Sequence, residues 1–317
     1  MSTPKNLALP AGYRLQEYEI KKVLSSGGFS FVYLALDKNK NIVAIKEYLP
    51  SSIALRDENA TVLPNAEDVA MFRHGLKSFF DEGLTLAKID HKNIVRVINF
   101  FRANDTVYMV MQYERGKSLQ AYILDQAEPI PEKFIRRVFG LLSNGLREVH
   151  AQKLLHLDIK PANIYIRLDN SPVLLDFGSS RQALSDAKTK ISPSYTPGFA
   201  SPEHYYDRKL LGPWSDIYSI GATMYSCLAK TSPLSADQRI KKDLLVPAVK
   251  LGKEHYSQEL LNIIDHCLDL DYLNRPQSVF ALQKALLETP HRLPKKSGFV
   301  HKLFNALNKP ISPGNKK

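Results

Sequence analysis

His156-Leu157-Asp158-Ile159-Lys160-Pro161-Ala162-Asn163 is the stretch on which the reading of this chain turns. It sets a Lys two residues after an Asp and an Asn three residues after that Lys. Eighteen positions beyond Asp158 comes a second Asp, in Asp176-Phe177-Gly178. One carboxylate can orient and deprotonate a hydroxyl, and a Lys can neutralise charge on a moving phosphoryl group. An Asn and a second carboxylate are hard oxygen donors of the kind Mg²⁺ takes. The arrangement therefore suits phosphoryl transfer from a metal–nucleotide complex. Taken singly, either motif is weak: H-x-D-x-K can be a surface loop, and Asp-Phe-Gly an ordinary turn. Their order gives them weight, together with the apolar Ile164, Val173, Leu174 and Leu175 of a short hairpin between them.

Length and composition set the frame. The 317 residues suffice for one large or two ordinary domains. With 44% hydrophobic and 24% charged residues, the composition is that of a globular chain. No apolar run approaches the roughly 18–20 residues of a membrane helix. Residues 1–14 lack the basic region and apolar core of a secretory signal, so a cytoplasmic location is expected. Cys227 and Cys267 lie in apolar helical patterns and read as free buried thiols rather than a disulfide or a metal site. The net charge is +11, but Arg292, Lys295, Lys296, Lys302, Lys309, Lys316 and Lys317 place +7 of it in residues 289–317, which hold no Asp or Glu. The +4 left for the rest argues against a nucleic-acid partner.

In these motifs the chain resembles the protein kinases. Small-molecule phosphotransferases with a related core are the competing family, and Lys160-Pro161 with Ser201-Pro202-Glu203 favours the protein kinases. The resemblance covers about residues 19–288 and implies an α+β, bilobal protein-kinase-like fold. It sets an antiparallel β-sheet small lobe at 19–113 and a mostly helical large lobe at 114–288, with ATP between them. Residues 1–18 are then an N-terminal extension and residues 289–317 a basic tail. Asp158 becomes the base for the substrate hydroxyl, Lys160 the contact to the γ-phosphate, and Asn163 and Asp176 the Mg²⁺ ligands. His156 is expected to brace the loop. The family's Arg between His and Asp is Leu157 here. That Arg pairs with a phosphate on the activation loop, and Leu cannot, so activity without that phosphate is expected.

The nucleotide side follows from the same resemblance. Leu24-Ser25-Ser26-Gly27-Gly28-Phe29-Ser30 is similar to the family's glycine-rich loop, with Ser25 and Ser30 in place of its first and third glycines and only Gly27 holding its place. Small residues there let backbone N–H groups approach phosphates. Val32 and Ala44 are expected to line the nucleotide, Met111 to guard the back pocket, and Gln112, Tyr113 and Glu114 to form the hinge. Gly116 frees the chain to enter the large lobe. Val43-Ala44-Ile45-Lys46 ends in a Lys that resembles the family's lysine on the α/β-phosphates. Its carboxylate partner is expected on a helix over 71–89. Glu82, nine residues before His91-Lys92-Asn93-Ile94-Val95, is the first choice and Asp81 the runner-up. Residues 47–68 read as an inserted, partly irregular surface loop, with a regulatory handle on the Glu82 helix as the alternative.

Residues 176–203 form the activation segment and carry Ser179, Ser180, Ser185, Thr189, Ser192, Ser194, Tyr195 and Thr196. Thr196, in Tyr195-Thr196-Pro197-Gly198-Phe199, is expected to bridge Asp158 and Lys160, as in Ser/Thr rather than Tyr kinases. Glu203 is expected to pair with Arg275, Ser215 to cap the helix near Pro213, and Asp216 to brace the catalytic loop. In the tail, Phe299, Val300, Leu303, Phe304 and Leu307 fall at helical spacing beside Lys302 and Lys309. Such a helix is expected to dock on protein or to fray, with contact to an anionic membrane as the minority alternative. The function expected is ATP- and Mg²⁺-dependent phosphorylation of Ser or Thr on proteins, its own chain included. The alternative from another class is a pseudokinase, a binding or scaffold protein. It rests on Ser25 and Ser30 alone, because Lys46, Glu82, Asp158, Lys160, Asn163 and Asp176 are all present.

Overall fold

Short β-branched and aromatic runs divided by turns dominate the N-terminal part of the chain, and they fold as a sheet. A computed structural model describes residues 8–177, 181–182 and 195–288. Strands β1 (Arg14–Leu15), β2 (Tyr18–Ser26), β3 (Ser30–Leu36) and β4 (Ile42–Tyr48) come first. A hairpin of β5 (Ala54–Arg56) and β6 (Val62–Pro64), helix α1 (Val69–Leu86), β7 (Val97–Ala103) and β8 (Thr106–Gln112) follow. The main sheet runs β1-β2-β3-β4-β8-β7 with antiparallel pairing throughout. Its first strand falls inside the stretch read as an extension, and Leu9 is buried with its N–H donated to Tyr33 Oη at 3.1 Å.

Register decides which side chains face the cleft. Val32 opposes Lys46, and Ala44 opposes Met111. Alternation along the strands then puts Val32, Ala44, Lys46 and Met111 on one face. Helix α1 packs over the Tyr48 end of that face and leaves the end with Val32 and Ala44 to the cleft. Tyr48 packs on Phe72 and Phe79 of α1 with ring centroids 5.5 and 5.8 Å away. The helix comes so close because it carries glycine at two contact points. A Cβ on Gly75 would lie 1.8 Å from Tyr48 Oη, and one on Gly83 would lie 1.8 Å from the Phe100 ring.

The reading of residues 47–68 as a surface loop is corrected by the structure. Leu49, Ala54 and Val62 are fully buried, and β5 pairs with β6. The reason lies on the other face of β4. Glu47, at 0% exposure, accepts hydrogen bonds from Tyr33 Oη at 2.7 Å, Tyr108 Oη at 2.5 Å and Arg56 at 2.5 Å. A buried carboxylate needs such partners, and the hairpin supplies the cation.

The C-terminal part is mostly helical. It holds β9 (Gly116–Ser118), α2 (Leu119–Asp125), α3 (Glu132–Ala151), β10 (Leu154–Leu155), β11 (Ile164–Arg167) and β12 (Pro172–Leu174). Then come β13 (Arg181–Gln182), α4 (Pro202–Tyr205), α5 (Pro213–Ala229), α6 (Ala236–Lys241), α7 (Ala248–Leu251), α8 (Gln258–Cys267) and α9 (Val279–Leu287). Helix α3 buries Ile135, Val138, Phe139, Leu142, Leu146 and Val149, a stripe of helical period. Helix α5 is buried all round from Ser215 to Cys227. Its interior hydroxyls are satisfied locally: Thr223 Oγ1 donates to Ser219 O at 2.7 Å and Ser226 Oγ to Ala222 O at 3.0 Å. Pro213 takes the first helical position, so Ser215 acts from the third. Its Oγ accepts the Gly212 N–H at 3.2 Å and its own N–H donates to Gly212 O at 2.8 Å, so it caps the start of the helix as expected. Cys227 and Cys267 are free and buried, as read from sequence. No helix among the described residues is long and apolar enough to cross a membrane. Gly178, the hydroxyls from Ser179 to Ser194 and the tail pattern of Phe299 to Lys309 lie outside the described residues.

Removing Arg56 leaves a lone carboxylate in the core, which costs about 3–5 kcal/mol. Arg56→Met should therefore lower the apparent Tm by roughly 6–15 °C in a far-UV circular dichroism melt. Adding Glu47→Gln to that variant removes the stranded charge and should recover a substantial part of the loss.

Candidate active site

The catalytic loop is shaped by hydrogen bonds that end on buried groups. Asp216, in the first turn of α5, is 0% exposed. Its Oδ2 accepts the His156 N–H at 2.9 Å and its Oδ1 the Leu157 N–H at 2.8 Å, while His150 Nε2 lies 2.7 Å from Oδ2. Burial alone would raise the Asp216 pKa, yet these donors hold it below the usual carboxylate value. Leu157 takes φ +65°, a left-handed conformation costly for a bulky residue, and its donated N–H helps hold it there. His156 bridges two segments as the Nε2–H tautomer, donating to Leu175 O at 3.1 Å and accepting the Asp158 N–H on Nδ1 at 3.2 Å. Full burial lowers its pKa and keeps the ring neutral. It is the brace expected from sequence.

Asp158 sits at the centre of the cluster. Thr196 Oγ1 donates to its Oδ1 at 2.9 Å, and Lys160 Nζ donates to its Oδ2 at 2.7 Å. Lys160 Nζ also reaches Thr196 Oγ1 at 2.7 Å, which closes a triangle between catalytic loop and activation segment. Asn163 Nδ2 donates to Asp158 O and Oδ2 at 2.9 and 3.0 Å. With its donor side committed there, the planar amide turns its Oδ1 acceptor to the opposite side.

Across the cleft, Lys46 Nζ lies 2.5 Å from Asp176 Oδ1 and 3.7 Å from Glu82 Oε1. Glu82 is thus the helix carboxylate that meets Lys46, while Asp81 is exposed. Desolvation pushes Lys46 down, but the two carboxylates outweigh it and raise its pKa. Glu82 is pushed up to about 7, chiefly by burial, with Lys46 and the Phe177 N–H opposing. The turn after α1 ties this helix to the large lobe: Asn93 Nδ2 donates to Pro172 O at 2.7 Å and the Leu174 N–H to Asn93 O at 2.8 Å.

The hinge is anchored below. Arg167 holds Glu114 through two bonds, at 2.7 and 2.8 Å, and Tyr165 Oη donates to Gly116 O at 2.8 Å. A Cβ at Gly116, with φ +156°, would lie 2.0 Å from Ile166 O, so this close approach requires glycine. Of the residues expected at the adenine, Gln112 is exposed and Met111 and Tyr113 are half-buried. In the glycine-rich loop Ser25 and Ser26 pair with Val32 and Phe31, the Gly27 N–H bonds Ser30 O at 2.9 Å, and Phe29 stands 58% exposed at the tip. Leu24, Gly28 and Ser30 complete this hairpin. The expected Glu203–Arg275 pair is present at 2.8 Å with both side chains buried. Burial lowers the Arg275 pKa. Sequence reading missed Glu47, Arg56, Gly75 and Gly83, all of which set Lys46 or α1 from behind.

The donor chemistry fits a hard cation. Asn163 and Asp176 offer amide and carboxylate oxygens, and no group of three or more His, Cys, Asp or Glu among the described residues could hold a metal ion. Mg²⁺ accepts such a partial set, because it keeps waters and substrate phosphates in its shell. The pKa of Glu82 has two consequences of opposite sign. A carboxyl whose folded pKa is raised from about 4.3 contributes stability as the neutral acid, and that contribution is lost as pH rises through about 7. Pairing with Lys46 requires the ionised form, so kcat/KM for phosphoryl transfer should climb between about pH 6 and 8. A pH profile of wild type against Glu82→Gln checks this: the variant should be slower and lack that limb.

Residues 18–287 match the family model described as protein kinase domain. The chain is 26% identical to serine/threonine-protein kinase ppk34 of Schizosaccharomyces pombe over 290 residues, covering 81% of this chain and 79% of that one. It is 28% identical to serine/threonine-protein kinase D of Synechocystis sp. over 288 residues, covering 86% of this chain and 52% of that one. With human serine/threonine-protein kinase Nek2 it shares 32% identity, over 64% of this chain and 48% of that one. It thus spans about half the length of the latter two. The solved structure of PpkA-294 in its apo form superposes with a TM-score of 0.79 and 35% identity, covering 88% of this chain and 99% of that one. The chain belongs to the protein kinase domain family and has its bilobal fold.

Proposed function

We propose that this protein transfers the γ-phosphoryl group of ATP, with Mg²⁺, to Ser or Thr hydroxyls of proteins, hydroxyls of its own chain included. The observation that carries the reading is the Asp158–Thr196–Lys160 triangle, with sides of 2.7–2.9 Å. It docks the end of the activation segment on the catalytic loop and so builds a ledge for a substrate hydroxyl beside a carboxylate. The serine/threonine-protein kinase names of the relatives support the same reading.

In this account Asp158 orients the hydroxyl and takes its proton as the oxygen–phosphorus bond forms and the bond to the ADP oxygen breaks. Lys160 offsets charge on the transferring group. Lys46, aimed by Glu82, holds the α/β-phosphates. Val32, Ala44 and Met111, on one sheet face, take the adenine with the backbone of Gln112 and Tyr113. Residues 24–30 cover the phosphates. Asn163 and Asp176 hold Mg²⁺, whose chemistry is to neutralise phosphate charge and align the leaving group. A pseudokinase would be expected to have lost one of these groups. Domain limits of 19–113 and 114–288 for the lobes go with this reading.

Labelling with γ-labelled ATP and Mg²⁺ on a generic substrate tests it, with Asp158→Asn and Asp176→Asn alongside. Label on Ser and Thr in wild type, reduced at least ~10²-fold in each variant, is expected. Nucleotide binding without transfer, or label chiefly on Tyr, would contradict it. Leu157 gives a further outcome. It is 5% exposed and offers no cation to a phosphate on the activation segment. Phosphatase-treated protein should therefore keep its initial rate within about twofold, where an Arg-dependent enzyme would lose most of it.

A further inference from the structure

The pairing of β3 with β4 does not stop at Lys46. It runs on through Phe31 with Glu47 to Ser30 with Tyr48. Two more bonds then extend it to the tip of the glycine-rich loop. The Leu49 N–H donates to Phe29 O at 2.9 Å and the Ser51 N–H to Gly28 O at 2.9 Å. Ser51 Oγ reaches the same Gly28 carbonyl at 3.2 Å. The tip carbonyls are thereby held from the side of the insert.

The insert itself has little freedom. Leu49 is fully buried and Pro50 is buried beside it. Pro50 O accepts the N–H groups of Ile53 and Ala54 at 3.1 and 3.0 Å, and the Asn65 N–H closes back on Ile53 O at 2.9 Å. Arg56 pins the hairpin to Glu47, the Val62 N–H binds Asn104 O at 2.8 Å, and Thr106 Oγ1 binds Tyr48 O. These attachments end on β4, on β8 and on the turn that joins β7 to β8, all part of the layer that carries Lys46. Tyr48, between Lys46 and this brace, presses on α1 at Gly75.

We propose that residues 47–64 are a brace that fixes the nucleotide loop over Lys46, with Leu49 and Ser51 as positioning residues acting through their backbone N–H groups. This rests on the reading of residues 24–30 as the nucleotide loop. It also accounts for Ser25 and Ser30. A loop held from outside does not need the backbone freedom of glycine at those ends: Ser25 sits in the β2–β3 ladder opposite Val32, and Ser30 in the β3–β4 ladder opposite Tyr48. A preformed loop binds phosphates without an ordering cost, so the brace acts on nucleotide affinity more than on the chemical step.

Hydrogen exchange by NMR on the nucleotide-free wild type is the first arm. The Leu49 and Ser51 amides should exchange at least about tenfold slower than in an unstructured peptide. Exchange at the unstructured rate would overturn the proposal. The second arm is steady-state kinetics. Ser51 follows Pro50 in a turn closed by the Ile53 N–H, a position where proline fits, so Ser51→Pro removes the backbone donor together with the exposed Oγ contact, and Ser51→Ala removes the Oγ contact alone. Loss of the backbone hydrogen bond predicts a KM for ATP about 3–10-fold higher in Ser51→Pro than in Ser51→Ala, with kcat within about threefold. Ser51→Ala, which keeps the N–H, should leave KM within about twofold. An unchanged KM in a folded Ser51→Pro, or a fall in kcat alone, would overturn the proposal. If Ser51→Pro does not fold, the exchange result decides. If wild type binds no ATP, the proposed function fails while the exchange result still judges the brace.

Discussion

One buried carboxylate carries the catalytic loop. Asp216 has no contact with water and answers for it by accepting two consecutive backbone N–H groups beside His150. An unpaired charge so placed would be expelled or neutralised, so the loop and the helix hold each other. The helix can present Asp216 there because α5 is packed on every side. Its position is over-determined by the core, not by the cleft. From that anchor the loop reaches Asp158 with Leu157 in a left-handed turn, and His156 passes the constraint on to Leu175, next to Asp176. Two carboxylates separated in sequence are thus set by one rigid support.

The upper half of the cleft uses the strand period in the same economical way. Lys46 and Glu47 are neighbours in sequence and therefore point to opposite faces of the sheet. The first meets Asp176 and Glu82; the second meets two tyrosines and Arg56. A shift of one residue in β4 would exchange the two charges, burying each among the wrong partners. The Arg56–Glu47 pair thereby fixes the register of the strand that aims Lys46.

Most of the fold and much of the site could be read from the chain because their signals are local. The Asp158 and Asp176 motifs and the helix carrying Glu82 follow from short patterns with fixed chemistry, whereas the Glu203–Arg275 pairing, between distant residues, came from the resemblance to the family. Glu82 was separable from Asp81 because only one of two adjacent helical residues can face the sheet. What escaped reading depends on contacts distant in sequence. Nothing near Arg56 announces that its charge will be buried against Glu47. Gly75 and Gly83 look like ordinary breaks in helix propensity until the rings of Tyr48 and Phe100 are seen against them.

The central claim is that the support beneath the loop, and not only the groups in the cleft, sets the rate. Asp216→Asn tests it, since the amide keeps the shape but replaces one acceptor oxygen with a donor facing the loop N–H groups or His150. The rate constant for phosphoryl transfer, with ATP affinity measured by calorimetry, is the quantity to follow. The account predicts kcat lower by about 10–100-fold with the ATP Kd within about threefold, because loop placement changes while Lys46 and Glu82 stay. A folded Asp216→Asn with kcat within about twofold of wild type would contradict it.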